Sequence, residues 1–522
     1  MRRTVRRSAT RRFVRERAHA FNRGAPNAAR CARWNGVLCE RNRATQAAVP
    51  CAREPDTRPA ASRSRRHSWH SPRGVAWRGA GRGHVPHRSR HAPAGRGFTY
   101  VAGADAPDAI WYNPAGIAWS GEQLFFDATL TLVDATYTRV DSGGNTLPTE
   151  SLSHAPIPIP NIAYTSDLGV DDWTFGISLS APNLVPYKWS DAPDAPQRYS
   201  LISLDGSVVG QLALAAAWRP ADDLAIGVAA QLYVGNQKAR VALSACDGAI
   251  CSTPENPEWD GVAEISSTIL SPTATVGVTY APGPVRIGAS FALPYSFGGP
   301  ATLRVRLPTA PLFDNARVDG SDADVTLDMP WVARLGVELR AVERLRLEAA
   351  AVYEAWSVQD ALVVDPDGIW MRNVTAVGDY EVGPVTVPRK MKDVVSLRLG
   401  GEYAVSDGFT ARVGANWENA ASDDAHLTVL TLDSAKLVAS VGASVLLTDD
   451  LWLDASFSHV FMANRNIDSS RVTQANPIRP PSPGDQTYVG DGRYVMEANM
   501  FGLGLRWQLA AAPSSPRAVA RN

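Results

Sequence analysis

Residues 394–405 read Val-Val-Ser-Leu-Arg-Leu-Gly-Gly-Glu-Tyr-Ala-Val, and apolar and polar residues alternate along them. Successive side chains of a β-strand point to opposite faces, so this alternation separates an apolar face from a polar one. The apolar face carries Val395, Leu397, Leu399, Gly401 and Tyr403, and the polar face carries Ser396, Arg398, Gly400 and Glu402. The stretch therefore predicts a strand between an apolar and a polar environment.

The same period of two recurs from Leu124 to the end of the chain. Most of the segments that show it reach the ~9–11 residues that a tilted strand needs to cross a bilayer. We count about fourteen of them, near 124–137, 158–166, 172–182, 206–218, 224–240, 261–280, 285–297, 324–340, 344–356, 394–405, 409–418, 435–447, 451–463 and 497–509. The pattern predicts an all-β fold, a 14-stranded antiparallel transmembrane β-barrel.

The connections between these segments alternate between short and long. Short ones include 219–223, 281–284 and 406–408, and long ones include 183–205, 357–393 and 464–496. Nothing in the architecture of a soluble sandwich or propeller requires all the long loops to lie at one end. Outer-membrane barrels do so, with short periplasmic turns, long external loops and an even strand number. The connections therefore indicate the bacterial outer membrane.

Aromatic residues cluster near both ends of the predicted strands. Trp173, Trp218, Tyr280, Tyr403, Trp452 and Trp507 fall near the short turns, and Trp331, Tyr353, Trp356 and Trp417 fall near the long loops. Two aromatic girdles at two membrane interfaces are typical of such barrels. The alternative is a set of scattered core aromatics in a soluble β protein.

A short irregular stretch precedes the first strand. Residues 104–117 read Ala-Asp-Ala-Pro-Asp-Ala-Ile-Trp-Tyr-Asn-Pro-Ala-Gly-Ile and have neither a helical nor a strand period. Irregular backbone is tolerated inside a barrel because it does not face lipid there. We predict that residues 92–123 form an N-terminal hatch, a plug inside the lumen. The barrel would then span 124–509, followed by a flexible tail at 510–522.

The first 91 residues have a different composition. Residues 1–100 contain 24 Arg, no Lys and four acidic residues, so their net charge of +20 is balanced by −20 in the remainder. Such a segment cannot bury enough apolar surface to offset its ordering entropy. One interpretation is a tail that binds nucleic acid or anionic lipid. We favour a disordered or non-native extension and expect no nucleic-acid partner.

The stretch from Gly95 to Gly116 resembles the N-terminal hatch of the outer-membrane long-chain fatty-acid transporters, the FadL/TodX family. In that family an acidic run of small residues leads into an Asn-Pro-Ala turn before the first strand, and Asn113, Pro114 and Ala115 match this turn. The fourteen strands and the closing Phe501-Gly502-Leu503-Gly504-Leu505 are also similar to the family. The tail after Leu509 departs from barrels that end on an aromatic residue.

The resemblance implies a function. A member of this family conducts long-chain fatty acids or other hydrophobic compounds by passive diffusion, gated by the hatch. The ligand leaves sideways into the membrane beside a kinked third strand. Pro182 and Pro186, which remove ladder donors at the end of strand 3, are the candidate kink. The alternative is a strand that simply ends at its loop.

Several polar residues are candidates for a site. Arginines on the polar strand faces suit a ligand carboxylate because their planar donor fork matches it; alternatively they only neutralise a ladder of Glu. They are Arg334, Arg346, Arg398, Arg412 and Arg506.

Cys246 and Cys251 are a possible disulfide in an external loop. The acidic loops lack the spacing of a calcium loop, so we expect no metal site, and we expect no cofactor.

Two other functions remain as alternatives. A general porin for small polar solutes would share the barrel, although a lumen plug argues against it. An outer-membrane lipase would need a Ser and His site, and only His154, His426 and His459 lie in the barrel region, without a nucleophile motif. We therefore expect no enzyme. The expected partners are hydrophobic small molecules and the lipid bilayer, and we expect a monomer.

Overall fold

The computed structural model describes residues 93–153, 156–181, 187–246, 251, 255–476 and 487–510. The predicted N-terminal extension, residues 1–91, lies outside the described residues. The tail after Ala510 also lies outside them. The statements below concern the described residues.

The structure contains fourteen barrel strands, which we number β1 to β14. Two of them, β7 and β8, are each built from two consecutive segments because a short break interrupts them. The strands are β1 Glu122–Val140, β2 Ile157–Ser166, β3 Trp173–Ser180, β4 Val208–Ala221, β5 Leu224–Ser244, β6 Asp260–Tyr280, β7 Val285–Ala292 with Tyr295–Arg306, β8 Asp322–Met329 with Val332–Leu339, β9 Leu345–Glu354, β10 Val394–Ser406, β11 Phe409–Glu418, β12 Lys436–Leu446, β13 Leu451–Met462 and β14 Gly492–Ala510.

The fourteen strands close into a ring. Each pairs antiparallel with its neighbour along the chain, and β14 pairs with β1 in the register Leu124↔Trp507 to Leu132↔Asn499. Closure leaves no strand edge along this seam that would need lipid or water as a hydrogen-bond partner. The predicted 14-stranded antiparallel transmembrane β-barrel is confirmed.

Side chains alternate across the wall as the sequence pattern requires. Every strand has at least one large apolar side chain on its exposed, outward face: Leu124, Ile162, Leu179, Leu214, Ile226, Val276, Phe291, Leu335, Leu347, Leu397, Val413, Val441, Phe457 and Leu503. The inward face is polar and buried, as at Gln211, Gln231, Thr275, Glu338, Glu348, Arg412 and Arg506. An apolar outside and a polar inside suit a barrel in a membrane.

The girdle near the short turns is real but lacks one predicted member. Trp173, Trp218, Tyr280 and Tyr403 are exposed on the outside, as is Trp507. The prediction for Trp452 was wrong, because its side chain is only 4% exposed. It shares the inward face of β13 with Asp454 and Ser458, since residues two apart point the same way.

The long connections carry structure of their own. Thr146–Ser151, Ala361–Asp367, Val385–Pro388 and Arg465–Ile467 extend the barrel sheet, and Arg317–Asp319, Trp370–Val374 and Gly378–Glu381 form a separate three-stranded sheet. Short 3-10 helices lie at Pro257–Trp259, Pro311–Phe313 and Trp356–Val358. In the described part of the chain we find no α-helix with the length and apolar character needed to cross a bilayer.

Candidate functional site

Residues 93–121, which we call the hatch segment, form a series of tight turns. They comprise the 3-10 helix Pro93–Arg96, the four-residue α-helix Ala109–Tyr112 (α1) and the 3-10 helix Pro114–Trp119. Most of their side chains are buried, and Tyr100, Ile110 and Ile117 pack against small alanines of β4 and β5. The segment therefore contacts the inner wall over much of its length.

Eight inward glycines on eight strands lie against the hatch segment. A Cβ atom at any one of them would come within 3.0 Å of a hatch atom, which real Cβ atoms essentially never do. They are Gly176, Gly227, Gly277, Gly288, Gly336, Gly400, Gly414 and Gly442, on β3, β5 to β8 and β10 to β12. Glycine suits these positions because a residue without a side chain lets the hatch segment approach the wall so closely.

Asn113 joins two parts of the hatch segment to the wall. Its side-chain amide donates to the carbonyl oxygens of Val101 (3.0 Å) and Val278 (3.2 Å) and to the hydroxyl of Thr279 (3.0 Å). Its side-chain oxygen accepts from the amide of Ala115 at 3.3 Å and caps the Pro114–Trp119 helix. Pro114 occupies the first helical position, where its missing N–H costs nothing.

Glu348 of β9 holds the hatch segment by its backbone. Its carboxylate accepts hydrogen bonds from three consecutive amides, those of Val101 (2.7 Å), Ala102 (2.8 Å) and Gly103 (3.1 Å). The guanidinium of Arg96 donates to the same carboxylate at 2.9 Å. Successive amides that converge on one anion form a concave binding site for it. Glu348 and Arg96 are both fully buried, so this contact lies away from solvent.

A second ionic contact surrounds Asp105 of the hatch segment. The Oδ2 atom of Asp105 lies 3.3 Å from Arg286, 3.1 Å from Arg340 and 3.1 Å from Arg346. Arg346 also donates to Glu338 at 2.7 Å and to the carbonyl oxygen of Gly103 at 3.1 Å. The charges of the hatch segment and of the wall thus neutralise one another in a single network.

The five predicted arginines fall into two groups. Arg346, Arg412 and Arg506 are held by acidic side chains of the wall, with Arg412 3.2 Å from Glu402. Arg334 and Arg398 instead line a cavity above the hatch segment. Arg398 donates to the carbonyl oxygen of Phe98 at 3.1 Å, and the buried Nη1 atom of Arg334 has no hydrogen-bond partner among the described residues. Only this second group faces open space.

Asp108 of the hatch segment is a buried carboxyl group. Its Oδ1 atom accepts from the Tyr100 hydroxyl at 3.0 Å, and its buried Oδ2 atom has no partner in the part of the chain that the structure describes. Burial raises the pKa of Asp108 to about 7, although the hydrogen bond from Tyr100 opposes this. The charge of the hatch segment therefore changes near neutral pH.

Three adjoining cavities lead from the external loops to the hatch segment. The outermost, of about 150 Å³, has a mostly aliphatic lining and shares Leu204, Leu327 and Leu430 with the next, of about 420 Å³. The innermost, of about 280 Å³, shares Glu354, Glu418 and Lys436 with the middle one. Its floor is made by Phe98, Trp111 and Tyr112 of the hatch segment. The path thus begins apolar and ends among charged side chains.

The described part of β3 ends beside the predicted kink. Ser180, the last residue of β3, pairs with Asn161 of β2 and with Gln211 of β4, although both neighbours extend farther outward. Pro158 and Pro160 lie in the part of β2 that has no β3 partner among the described residues, and a strand edge tolerates their missing N–H groups. The predicted kink residues Pro182 and Pro186 themselves lie outside the described residues.

Cys246 and Cys251 are joined as a disulfide with their Cα atoms 5.5 Å apart, a distance that suits such a bond. They lie in the connection between β5 and β6, where the amide of Asn476 reaches the carbonyl oxygen of Cys246 at 3.5 Å. Within the described ranges, no group of three or more His, Cys, Asp or Glu side chains is arranged to hold a metal ion.

Comparisons with known proteins place this barrel in a family. Residues 84–508 match the family described as outer membrane protein transport protein (OMPP1/FadL/TodX). The chain belongs to this family. The resemblance seen in the sequence is thereby confirmed, and the protein is a FadL-family transporter of the bacterial outer membrane. A search of curated proteins found no match.

Solved structures of the FadL family share the fold. A Pseudomonas aeruginosa FadL homologue is 18% identical with a TM-score of 0.64, and the match covers 80% of this chain and 98% of that one. The Pseudomonas putida toluene transporter TodX is 15% identical, with a TM-score of 0.55 and coverages of 79% and 99%. The Ralstonia pickettii toluene transporter TbuX is 16% identical, with a TM-score of 0.51 and coverages of 81% and 99%.

Sequence reasoning missed several residues of this FadL-family lumen. It predicted a ladder of Glu on the polar strand faces but could not pair Glu348 with amides that lie about 245 residues earlier in the chain. It also missed Arg389, which lines two of the cavities from an external loop. The available signal was a Pro-Arg-Lys run at 388–390 in an otherwise acidic connection.

Proposed function

We propose that this chain conducts hydrophobic compounds across the outer membrane by passive diffusion, with long-chain fatty acids as the first candidate. The observation that carries the proposal is the series of cavities that starts among aliphatic side chains of the external loops. A pocket with an apolar lining and a few placed polar groups is typical of sites for hydrophobic ligands. The middle cavity, at about 420 Å³, falls within the range of roughly 300–1,000 Å³ usual for such sites.

The hatch segment is the proposed gate. Trp111 and Tyr112 form part of the cavity floor, and Asn113, Pro114 and Ala115 follow them directly in the chain. A rearrangement of the Asn-Pro-Ala turn would therefore move the floor. Arg334 and Arg398, at the same level, are the proposed partners of a ligand carboxylate before the gate opens, because an Arg fork binds carboxylates well.

The outer end of β3 is the proposed lateral exit, because the predicted kink residues Pro182 and Pro186 follow it directly. Pro158 and Pro160 of the neighbouring strand β2 lie at the same level and support this location, since proline donates no hydrogen bond to a strand ladder. A gap in the hydrogen-bonded wall at this place would let an apolar molecule pass sideways into lipid without crossing the hatch segment.

The two alternatives receive less support. A general porin needs an open aqueous lumen, whereas the hatch segment here packs against glycines of eight strands. A lipase needs a Ser and a His on the same side of the wall. His459 bonds Asn499 at 2.8 Å, and Ser458 follows the opposite face of β13 and bonds Ser440. We therefore propose that the protein has no enzymatic activity.

The proposal is tested by uptake in bacteria that lack their own fatty-acid channel and carry this protein in the outer membrane. A labelled long-chain fatty acid and a small sugar are offered to the same cells. We expect fatty-acid uptake well above that of cells without the protein, and no increase in sugar uptake. Toluene, offered separately, tests the hydrocarbon alternative.

The outcomes separate the candidates. Sugar uptake alone would contradict the proposal and identify a general porin with a loosely held hatch segment. Uptake of toluene without uptake of the fatty acid would support a hydrophobic channel but change its proposed substrate from fatty acids to hydrocarbons. A heat-dependent shift in electrophoretic mobility, which folded barrels show, confirms insertion in each case.

A further inference from the structure

Two external connections cover part of the outer cavity, the one of about 150 Å³. The connection between β3 and β4 contributes Tyr199 and Leu201 to the cavity lining, and the connection between β13 and β14 contributes Val472. These side chains are 5%, 1% and 6% exposed, so the two connections shield this part of the cavity from solvent. An apolar ligand that enters the cavity from this side must displace them.

Arg139, at the outer end of β1, joins three external connections. Its guanidinium makes two parallel hydrogen bonds to the carboxylate of Glu255, both 2.7 Å long. The same group donates to the carbonyl oxygens of Pro196 at 3.2 Å and of Tyr488 at 3.0 Å. Bidentate pairs of this kind are among the strongest hydrogen-bonded contacts in proteins. One buried side chain thus fixes the connections β3–β4, β5–β6 and β13–β14 to the barrel wall.

Arg198 of the β3–β4 connection ties the same network to the cavity lining. Its Nη2 atom donates to the backbone carbonyl oxygen of Glu255 at 2.6 Å, and its Nε atom donates to the carboxylate of Asp260 at 2.8 Å. Tyr199 donates to that carboxylate at 2.9 Å, and the Arg198 guanidinium lies 4.3 Å from the centre of the Tyr199 ring. The position of a cavity-lining residue therefore depends on this ionic network.

Glu255 is the least secured member of the network. Its backbone φ is +66°, in the left-handed region that residues with a side chain rarely adopt. Such conformations persist where the surrounding contacts hold them, and they are concentrated at ligand clamps and switch regions. The side chain of Glu255 is 17% exposed, whereas that of Arg139 is 0% exposed. Release of the pair would therefore begin at Glu255, because water reaches it and its backbone relaxes when the contact breaks.

We propose that the Arg139–Glu255 ion pair is a latch on the external entrance, which holds the β3–β4 and β13–β14 connections over the outer cavity until it opens. This inference rests on the proposed hydrophobic path and adds a control at its outer end, opposite the proposed hatch gate. Neither residue lines any of the three cavities. The latch therefore acts on the barrier to entry and exit, as a lid does, and not on the contacts of a bound ligand.

The test measures the rates of ligand entry and release through Trp356, which lines the adjoining 420 Å³ cavity. The purified protein in lipid nanodiscs is mixed rapidly with terminally brominated undecanoate, because bromine quenches nearby indole fluorescence. The variant Trp356→Phe identifies the signal that belongs to this cavity. Dilution of the loaded protein gives the dissociation rate constant, and an equilibrium titration gives Kd.

Glu255→Gln keeps the shape of the side chain and removes its charge. We expect the association and dissociation rate constants both to rise about tenfold, as expected for one lost charge-assisted contact, while Kd stays unchanged. Arg139→Met should change both rates in the same direction. The control variant is Arg372→Met, because Arg372 forms an external ion pair with Asp379 at 2.9 Å and lies in the separate three-stranded sheet. Its rates should match those of the wild type.

Unchanged rates in a folded Glu255→Gln protein would overturn the latch, although quenching by the probe would still support the hydrophobic path. A weaker Kd with an unchanged association rate would also overturn it, because the network would then shape the binding site itself. Absence of quenching in the wild type would contradict the hydrophobic path and the latch with it. Electrophoretic mobility before and after heating verifies the fold of each variant.

Discussion

Asn113 is the residue at which the hatch segment is fixed most closely. It makes three hydrogen bonds through its amide group and caps a helix with its oxygen. Leaving one buried hydrogen-bond partner unsatisfied costs about 1–3 kcal/mol. Replacing Asn113 by alanine would therefore remove much of the free energy that fixes the turn. The position of the cavity floor at Trp111 and Tyr112 depends on that turn.

We therefore expect Asn113→Ala to lower uptake of a labelled fatty acid several-fold without unfolding the barrel. The matched control is Asn145→Ala, because Asn145 lies in an exposed external turn and its side-chain amide donates to Asp141 at 3.1 Å. Normal uptake by a correctly inserted Asn113→Ala protein would show that the turn is not part of the proposed gate.

Asp108 makes the stability of the protein depend on pH. Its pKa is raised from 3.8 in the unfolded chain to about 7 in the fold, so the folded state holds the proton to higher pH. The contribution of Asp108 to stability is therefore most favourable below about pH 4, falls as the pH rises toward about 7 and is constant above.

Asp108→Asn removes the titrating group and should flatten this dependence. Denaturant unfolding followed by tryptophan fluorescence at several pH values between 4 and 8 measures the difference between the two proteins. A wild-type stability that rises over this range relative to Asp108→Asn would contradict the expected sign.

At the level of single residues, the sequence predicted the local conformation and charge of a side chain better than the residues that it contacts. The Asn-Pro-Ala turn was recognisable because proline and asparagine have strong local preferences. The roles of Arg346 and Arg334 could not be separated, since both simply alternate into the lumen. Which of them meets an acid depends on contacts with residues such as Asp105, more than two hundred positions away.

The strands are shaped to accommodate the hatch segment. Gly414 of β11 lies against the backbone of Arg96 and Gly97, with no room for a Cβ atom. A Cβ atom added to Gly210 of β4 would make only ordinary van der Waals contact, with its nearest neighbour at 3.5 Å. Gly210 shares the outward face of β4 with Leu212 and Leu214, so it is a strand glycine away from the hatch segment and serves as the control.

Gly414→Ala should displace the hatch segment and raise the leak of a small sugar, whereas Gly210→Ala should not. Liposome swelling with reconstituted protein measures the leak directly. Equal swelling rates for Gly414→Ala and the wild type would show that the hatch segment adapts without moving from the lumen.

Element boundaries were harder to predict than element number. The fourteen strands followed from alternation and from turn spacing, but β14 begins at Gly492 and not near residue 497. Its outer part includes Arg493 and Glu497, and these charged residues interrupt the apolar alternation by which a strand is recognised in the sequence. The proline kink predicted at Pro182 and Pro186 lies outside the described residues and stays a prediction.

At the scale of the whole molecule, we expect a monomer. Each of the fourteen strands has an exposed apolar side chain, so lipid can contact the barrel around its full circumference. We expect a single chain per detergent micelle in light scattering coupled to size-exclusion chromatography. A trimer that survives a change of detergent would contradict this prediction.

The eight glycines also bear on the order of assembly. They contact the hatch segment from eight strands spread along more than two hundred residues of chain, and the pairing of β1 with β14 closes the cylinder around it. A segment enclosed this tightly from many sides would be difficult to thread into a finished barrel. We therefore expect the hatch segment, although it precedes every strand, to be in place before the wall is completed.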